Sequence, residues 1–539
     1  MGIYKLRTDF ATHLKVLLWV VLVIFVVGAI WSFGAAPFIK RQKLKETVIA
    51  VGEGNVQRSD YDAEWDRIFK LAQRNGMKSP LEFANLKQMI VGNMIDAQKL
   101  VTVAEEEGII ITKKDVKQAK EEKILEVLKQ NRNAIMGDLS EDEEALDPRK
   151  DKAFLKTLSD NGLTIDYIIA DANANVSDLT IKAELVQKQL EAKIDDKVNA
   201  LTDQEVKDSY KTFSLSQIII SEDKSTPQEA KANADKAYEE LKGGADFAKV
   251  KEKYSTVSGF PTVEYNAIDN PWMLPPKVGA AVSNLKEGDI TEPVEANKAY
   301  YVCKVNKVTN NAPEKLDKKA IDDRKEQMKQ SMMQAQLTDI QEKMDKITDI
   351  EVKDPEFEGY YHCINAEKAM TDENAKGEYQ KAVECFTEAL KKDEQMGKDI
   401  INAKLADVYY KQGDYKACAN TLDRMLDGEE ATTESYDLRA LYGDALAKLG
   451  ENEKALDQYK QALELNKQDP AFLDELAEKF KALGDNINAA TCTAKADELR
   501  EYERKLQEEQ MKQFQEQMAK QAKAAKKAEA EKKAEDKEN

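Results

Sequence analysis

Four glycines in the last third of the chain, Gly377, Gly413, Gly450 and Gly484, stand 36, 37 and 34 residues apart, and each opens the same short pattern. Gly377-x-Tyr379-x-x-Ala382-x-x-x-Phe386-x-x-Ala389 returns as Gly413-x-Tyr415-x-x-Cys418-x-x-x-Leu422 and as Gly450-x-Asn452-x-x-Ala455-x-x-x-Tyr459-x-x-Ala462. A shortened form, Gly484-x-Asn486-x-x-Ala489, closes the series. A period of about 34 residues corresponds to one helical hairpin per repeat, and a unit of that size cannot bury its apolar face alone. The pattern therefore dictates stacking. Small residues let two antiparallel helices approach, and aromatics fill the gap between successive pairs. Residues 355–500 are expected to form four such pairs, a short right-handed solenoid with a concave face.

These units resemble tetratricopeptide repeats. Shortly before the last three repeat glycines stand Asp407, Asp444 and Glu478, at positions that the repeat geometry turns inward. A solvated helix surface with scattered acids is the plain reading. The sharper one is an acidic groove that prefers basic or neutral segments and repels C-terminal carboxylates. The lysine and asparagine set of carboxylate-clamp repeats is not recognisable.

A chain of 539 residues is too long for one core, so other domains precede the repeats. Between Lys15 and Lys40 there is no charged residue. Val16 to Pro37 suits a helix crossing a bilayer, which needs about 20 apolar residues, and Trp19 and Trp31 fit its interfaces. A cleaved signal peptide competes, but the apolar region of such a peptide runs to only about 7–15 residues. Residues 16–37 are expected as an uncleaved anchor in the lipid bilayer behind a short tail, 1–15. Lys5, Arg7 and Lys15 precede the span and Lys40, Arg41, Lys43 and Lys45 follow it, so charge does not orient it. The net charge of −19 favours solubility and argues against nucleic acid as a partner. Two histidines, His13 and His362, leave little for imidazole chemistry or a His-rich metal site. Five widely spaced cysteines match neither a zinc motif nor a disulfide framework. No cofactor and no metal are expected.

After the span, Val48-Ile-Ala-Val-Gly52 reads as a strand and turn, and long helical patterns follow. Ser59 opens one with Tyr61, Trp65, Ile68 and Phe69 on one face, and Leu86 to Val103 continues with Met89, Ile90, Met94, Ile95 and Leu100. Methionines on such a face serve either an ordinary core or an adaptable client-binding surface. Thr202-Asp-Gln-Glu205 is a capping box that starts a helix expected to lead to Phe213. From Leu215-Ser-Gln-Ile-Ile219 onward the motifs become specific. They are the helix Ala230–Leu241, Lys242-Gly-Gly-Ala-Asp-Phe-Ala248, Lys253-Tyr-Ser-Thr256, Leu285 to Val294 and Tyr300 to Val305. In that order they resemble the parvulin family of prolyl isomerases, inside a chain organised like the SurA- and PpiD-type extracytoplasmic chaperones.

The departures from that family carry the functional reading. Gln217 stands at the place of its first-strand histidine and Tyr301 at that of its last-strand histidine. Its central Gly-Gly-Asp-Leu-Gly segment has no match, and Ser258-Gly-Phe-Pro-Thr262 occupies the interval. Met273 and Pro275 survive from the proline-binding pocket. Lys277 and Val282 replace the pocket aromatics, with Val278 at the first position under a one-residue shift. Lowering a barrier of about 18–20 kcal/mol requires a shaped apolar pocket and a fixed hydrogen-bond network. The resemblance thus implies a parvulin-like fold with no catalytic residues, in which Met273, Pro275, Lys277 and Val282 remain as peptide-binding candidates. Glu314 to Ile347 reads as one long helix and Thr348 to Val352 as a short strand, which the resemblance implies return to complete the N-terminal lobe.

The expected architecture is multidomain and mainly α: an anchor (16–37), a helical chaperone lobe (45–213), an inserted α+β parvulin-like domain (214–310), a helix and strand completing the lobe (314–353), an α-solenoid of repeats (355–500) and a charged helical or disordered tail (501–539). The resemblance implies a bacterial inner-membrane protein with its large domain in the periplasm. It would hold unfolded or newly translocated polypeptides near the secretion translocon, with the repeats docking a protein partner. An active isomerase and a non-chaperone scaffold of an envelope complex are the two rivals.

Overall fold

The computed structural model describes residues 45–137, 146–258, 262–391, 397–428, 431 and 433–538. The expected anchor at 16–37 and the tail before it lie outside them, as do Gly259, Phe260 and Pro261. Among the described residues no helix is long and apolar enough to cross a membrane.

The chain enters as a hairpin, β1 (Thr47–Val51) and β2 (Gly54–Gln57), turning at Gly52, whose φ of 55° suits a residue without a Cβ. Among the described residues six helices follow: α1 (Arg58–Arg74), α2 (Pro80–Glu106), α3 (Lys113–Met136), α4 (Lys152–Asp160), α5 (Ile165–Ala174) and α6 (Asp178–Asn199). The longest of them, α2, starts where Ser79 and Glu82 form a capping box around Pro80. The capping box at Thr202 does open a helix, α7 (Asp203–Asp208), but that helix ends well short of Phe213. The chain is already extended at Lys211, because Phe213 pairs with Val308 in a sheet.

That sheet has the order β4-β3-β6-β5, built from β3 (Lys211–Ser221), β4 (Val263–Tyr265), β5 (Val294–Ala296) and β6 (Ala299–Asn310). Between these strands run α8 (Pro227–Lys242), α9 (Phe247–Tyr254) and α10 (Pro276–Ser283). Each face buries its own cluster: Ile218, Ile220 and Val302 against α8 and α9, and Leu215, Cys303 and Val305 against α10. Then α11 (Lys318–Lys346) runs back along α2 and α6. Next, β7 (Ile350–Val352) pairs antiparallel with β1, Ile49 opposite Val352, so the chain returns to the strand on which it entered.

Eight further helices form four consecutive pairs: α12 (Pro355–Lys368) with α13 (Asp372–Lys391), α14 (Lys398–Gln412) with α15 (Tyr415–Leu426), α16 (Tyr436–Lys448) with α17 (Asn452–Leu465), and α18 (Pro470–Ala482) with α19 (Asn486–Glu538). Gly413, Gly450 and Gly484 turn the chain between the helices of a pair with φ of 92°, 80° and 83°. Gly377 does not. Thr371 accepts the Asn374 N–H and starts α13 early, which leaves this glycine inside the helix. The repeat small residues Ala382, Cys418 and Ala455 and the large Phe386, Leu422 and Tyr459 are all buried. A Cβ on Gly359 would lie 2.6 Å from the Phe386 ring, and one on Gly443 would lie 2.4 Å from Tyr459, so these glycines admit the aromatics.

The first two pairs are not a separate body. One hydrophobic cluster contains Ile90, Val91 and Met94 of α2 together with Phe357, Tyr360, Phe386 and Leu405. Helix α2 lies along α12 and α14, the first helix of each of these pairs. Polar groups seal the seam: Lys87 to Glu356 at 2.6 Å, Gln88 Nε2 donating to Glu367 at 2.9 Å, and Lys404 Nζ donating to Asn85 at 2.9 Å. Ser79, the cap of α2, donates to Asp437 at the start of α16. Beyond the last pair α19 continues as one helix through the expected tail to Glu538.

Candidate functional site

Gln217 and Tyr301 lie on adjacent strands of the four-stranded sheet. In the β3–β6 register Gln217 faces Cys303 and Ile219 faces Tyr301, so the two side chains leave the same sheet face as diagonal neighbours. The face is a core, not a cleft. Leu274, Val278 and Val282 close it from α10 and the turn before it, and Tyr265 packs beside them. Tyr265 reaches this position because α10 has Gly279 below it; a Cβ there would meet the phenol oxygen at 2.1 Å. Burial pushes that phenol up to about 12 and the Cys303 thiol up to about 12, as expected of groups held in apolar surroundings. Gln217 is 4% exposed, and its Nε2 has no hydrogen-bond partner among the described residues. A glutamine so placed holds no proton-transfer group and no charge.

The four peptide-binding candidates separate. Val282 is fully buried in the core below the sheet and offers no surface to a peptide. Pro275 is half-buried at the start of α10. Lys277 forms ion pairs with Glu342 and, at 3.6 Å, with Asp339, both on α11, and the Glu342 carboxylate holds its ammonium above the usual range. Its role is to tie α10 to the lobe. Only Met273 is open, at 40% exposure, and Trp272 beside it is 76% exposed.

The pair sits on a built loop. Asn266 is buried, donates to the backbone carbonyls of Ser209 and Lys211, and accepts the N–H groups of Ile268 and Asp269 through its Oδ1. Arg324 of α11, 3% exposed, clamps the same loop. It donates to Asp269 at 2.6 Å, to the Ser209 carbonyl at 2.6 Å and to Ser209 Oγ at 2.8 Å, and it stacks over Tyr210. Sequence reasoning missed Trp272, Asn266 and Arg324. The signal for the first was the Asn270-Pro271-Trp272 turn, where an aromatic follows a proline that opens a single helical turn.

The acids of the repeats are largely compensated. Asp407 lies 3.2 Å from Lys404 and 3.0 Å from Lys411. Asp444 accepts from Tyr459 at 2.8 Å and pairs with Lys479. Glu478 alone is well exposed, with Lys481 at 3.6 Å. Asp407 also lies at the seam with α2, since its partner Lys404 is the residue that donates to Asn85. A row of bare carboxylates along a groove is therefore not what these side chains form.

Comparison with known proteins resolves three modules. Residues 6–124 match a SurA-like N-terminal domain, residues 204–320 a PPIC-type PPIASE domain and residues 443–484 a TPR repeat. Among curated relatives, the Foldase protein PrsA of Geobacillus sp. (strain WCH70) is 29% identical over 171 residues, 29% of this chain and 55% of the relative. The Foldase protein PrsA of Geobacillus kaustophilus (strain HTA426) is 28% identical over 170 residues, 29% of this chain and 54% of the relative. The chain thus spans about half the length of the curated relatives it matches. Among solved structures, peptidylprolyl isomerase (PrsA) from Bacillus anthracis aligns at 16% identity and a TM-score of 0.19, over 46% of this chain and 94% of that one. A MamA chain, MSR-1, aligns at 19% identity and a TM-score of 0.22, over 32% of this chain and 88% of that one. Neither TM-score reaches the level of a shared overall shape. The chain combines a SurA-like N-terminal domain, a PPIC-type parvulin domain and a TPR repeat, and its homologues are PrsA foldase-type proteins.

Proposed function

We propose that this protein is a membrane-anchored, extracytoplasmic folding factor that holds unfolded or newly translocated chains and does not turn over prolines. The observation that carries the reading is the closed sheet face. By the resemblance Gln217 and Tyr301 stand at the two histidine places, and α10 and Tyr265 pack on the sheet face that carries them, with Tyr301 half-buried at its side. The apparatus for lowering a barrier of about 18–20 kcal/mol is missing, while the domain keeps its fold and its docking onto α11. The surface for holding is the Trp272–Met273 turn, clamped by Asn266 and Arg324. Burying one such side chain against a client contributes about 1.5–3 kcal/mol, enough for reversible capture when several sites act together. The anchor is the uncharged run at 16–37, and the secretion translocon is the neighbour such an anchor suits. Because α2 already lies along α12 and α14, partner docking falls to the last pair of repeats, where Glu478 is exposed.

The test uses the full chain in detergent and an aggregating unfolded client. Aggregation is expected to be suppressed by the wild type and several-fold less by the double variant W272A/M273A, with the fold of both checked by circular dichroism. Equal protection by the two would remove the turn from the account, and no protection by either would favour the envelope scaffold.

A further inference from the structure

We propose that Glu358, His362 and Cys385 form a binding site for a thiophilic divalent cation, zinc by the chemistry of its donors, at the seam of α12 and α13. Glu358 and His362 are four residues apart, so they share one face of α12, and Cys385 comes from the facing helix α13. One ligand atom from each lies within 4.8 Å of the other two. His362 Nε2 is 4.0 Å from a Glu358 carboxylate oxygen. Zinc bonds of about 2.0–2.3 Å draw such a trio somewhat closer, which a rotation of the half-buried Glu358 side chain supplies.

The imidazole is already oriented for this task. Its Nδ1 lies 2.7 Å from Glu378 Oε2, and the other oxygen of that carboxylate accepts from Lys381 at 2.7 Å. A carboxylate accepting the Nδ1 proton leaves the Nε2 lone pair directed at the trio, the arrangement that metal-ligating histidines carry behind the metal. One thiolate, one imidazole and one carboxylate favour zinc over magnesium or calcium, which prefer all-oxygen sets. Three protein ligands leave the fourth position for water or for a side chain of a bound partner. Phe357 and Tyr360 of the same helix are buried in the core shared with α2, so a cation here would staple the first repeat at the joint with the lobe.

The full chain in detergent, stripped with a chelator, is titrated with zinc by calorimetry and with cobalt(II) by absorption. One cation per chain and a thiolate-to-cobalt charge-transfer band are expected. C385S should abolish the band, H362Q should weaken zinc binding at least as strongly as E378Q, and E378Q should weaken it about 10–100-fold. C418S, a change at a cysteine buried in α15, should leave binding as it was. Absence of binding, or a stoichiometry and band unchanged in both C385S and H362Q, would overturn the proposal. Circular dichroism of each metal-free variant separates loss of the site from loss of the fold.

Discussion

Replacing Gln217 with leucine tests whether the closed sheet face retains a use for its polar residue. The carboxamide is 4% exposed, and its Nε2 is unpartnered among the described residues, beside Cys303 across the strand and Tyr301 on the diagonal. An unpaired buried donor costs about 1–3 kcal/mol, and an apolar side chain of similar volume removes that cost without opening a cavity. Some of the gain is lost to a branched side chain repacking against Tyr301, so Q217L is expected to stabilise the parvulin-like domain by about 1–2 kcal/mol. The chain has several modules, and a global melt would not isolate this one. Amide exchange read by mass spectrometry does: protection of β3 and β6 should rise by a factor of about 5–30, with α14 to α17 unchanged. Client holding should be unaffected. Faster exchange in β3, or lost holding with the fold intact, would show that Gln217 has a partner or a task and would refute the reasoning.

Three other perturbations probe the joints. F386A empties a fully buried ring that meets Tyr360 edge-on at 5.1 Å, at a cost of about 3–5 kcal/mol, and because the core is shared, urea should loosen α2 and α12 together. R324M removes five side-chain hydrogen bonds and a stacked ring; with Asp269 more than half exposed, the cost is discounted to about 2 kcal/mol, seen as faster exchange over residues 266–273. Burial pushes the thiols of Cys303, Cys363 and Cys418 up to about 12. A folded pKa raised above the unfolded value of 9.0 gives stability that is complete below the unfolded value and lost as pH rises toward the folded one. Denaturation midpoints should therefore fall between about pH 9 and 12, and thiol reagents at neutral pH should react far more slowly in the native chain than in urea.

What was legible in the sequence was whatever repeats or follows a local period. The helix pairs announced themselves because packing demands a small residue where Ala382, Cys418 and Ala455 stand and a large one where Phe386, Leu422 and Tyr459 stand. Gly377 fitted the pattern and still misled, because a threonine cap six residues earlier decides where α13 begins. Phe213 was assigned to a helix end, since nothing local reveals that its partner is Val308, far along the chain. The partners of some site candidates were hidden for the same reason. Lys277 is held by carboxylates on α11 and Asp444 by Lys479 of another helix, partners that only the fold brings near, whereas Lys404 and Lys411 stand one turn from Asp407 on its own helix and were legible as i,i+3 and i,i+4 neighbours. The union of α2 with the first repeats was equally hidden, because an apolar helix face looks the same whether it meets its own lobe or another module. His362 read as a lone histidine until Cys385 and Glu378 came to lie beside it.

The central claim is that the chain holds unfolded polypeptides without catalysing proline isomerisation. The direct measurement follows the refolding of a client whose slow phase is a prolyl isomerisation, tens to hundreds of seconds long at room temperature when uncatalysed. Adding the full chain in detergent should leave the rate constant of that phase unchanged while reducing the fraction of client that aggregates. A slow phase that quickens in proportion to the added protein, and slows again when Gln217 or Tyr301 is replaced, would contradict the account.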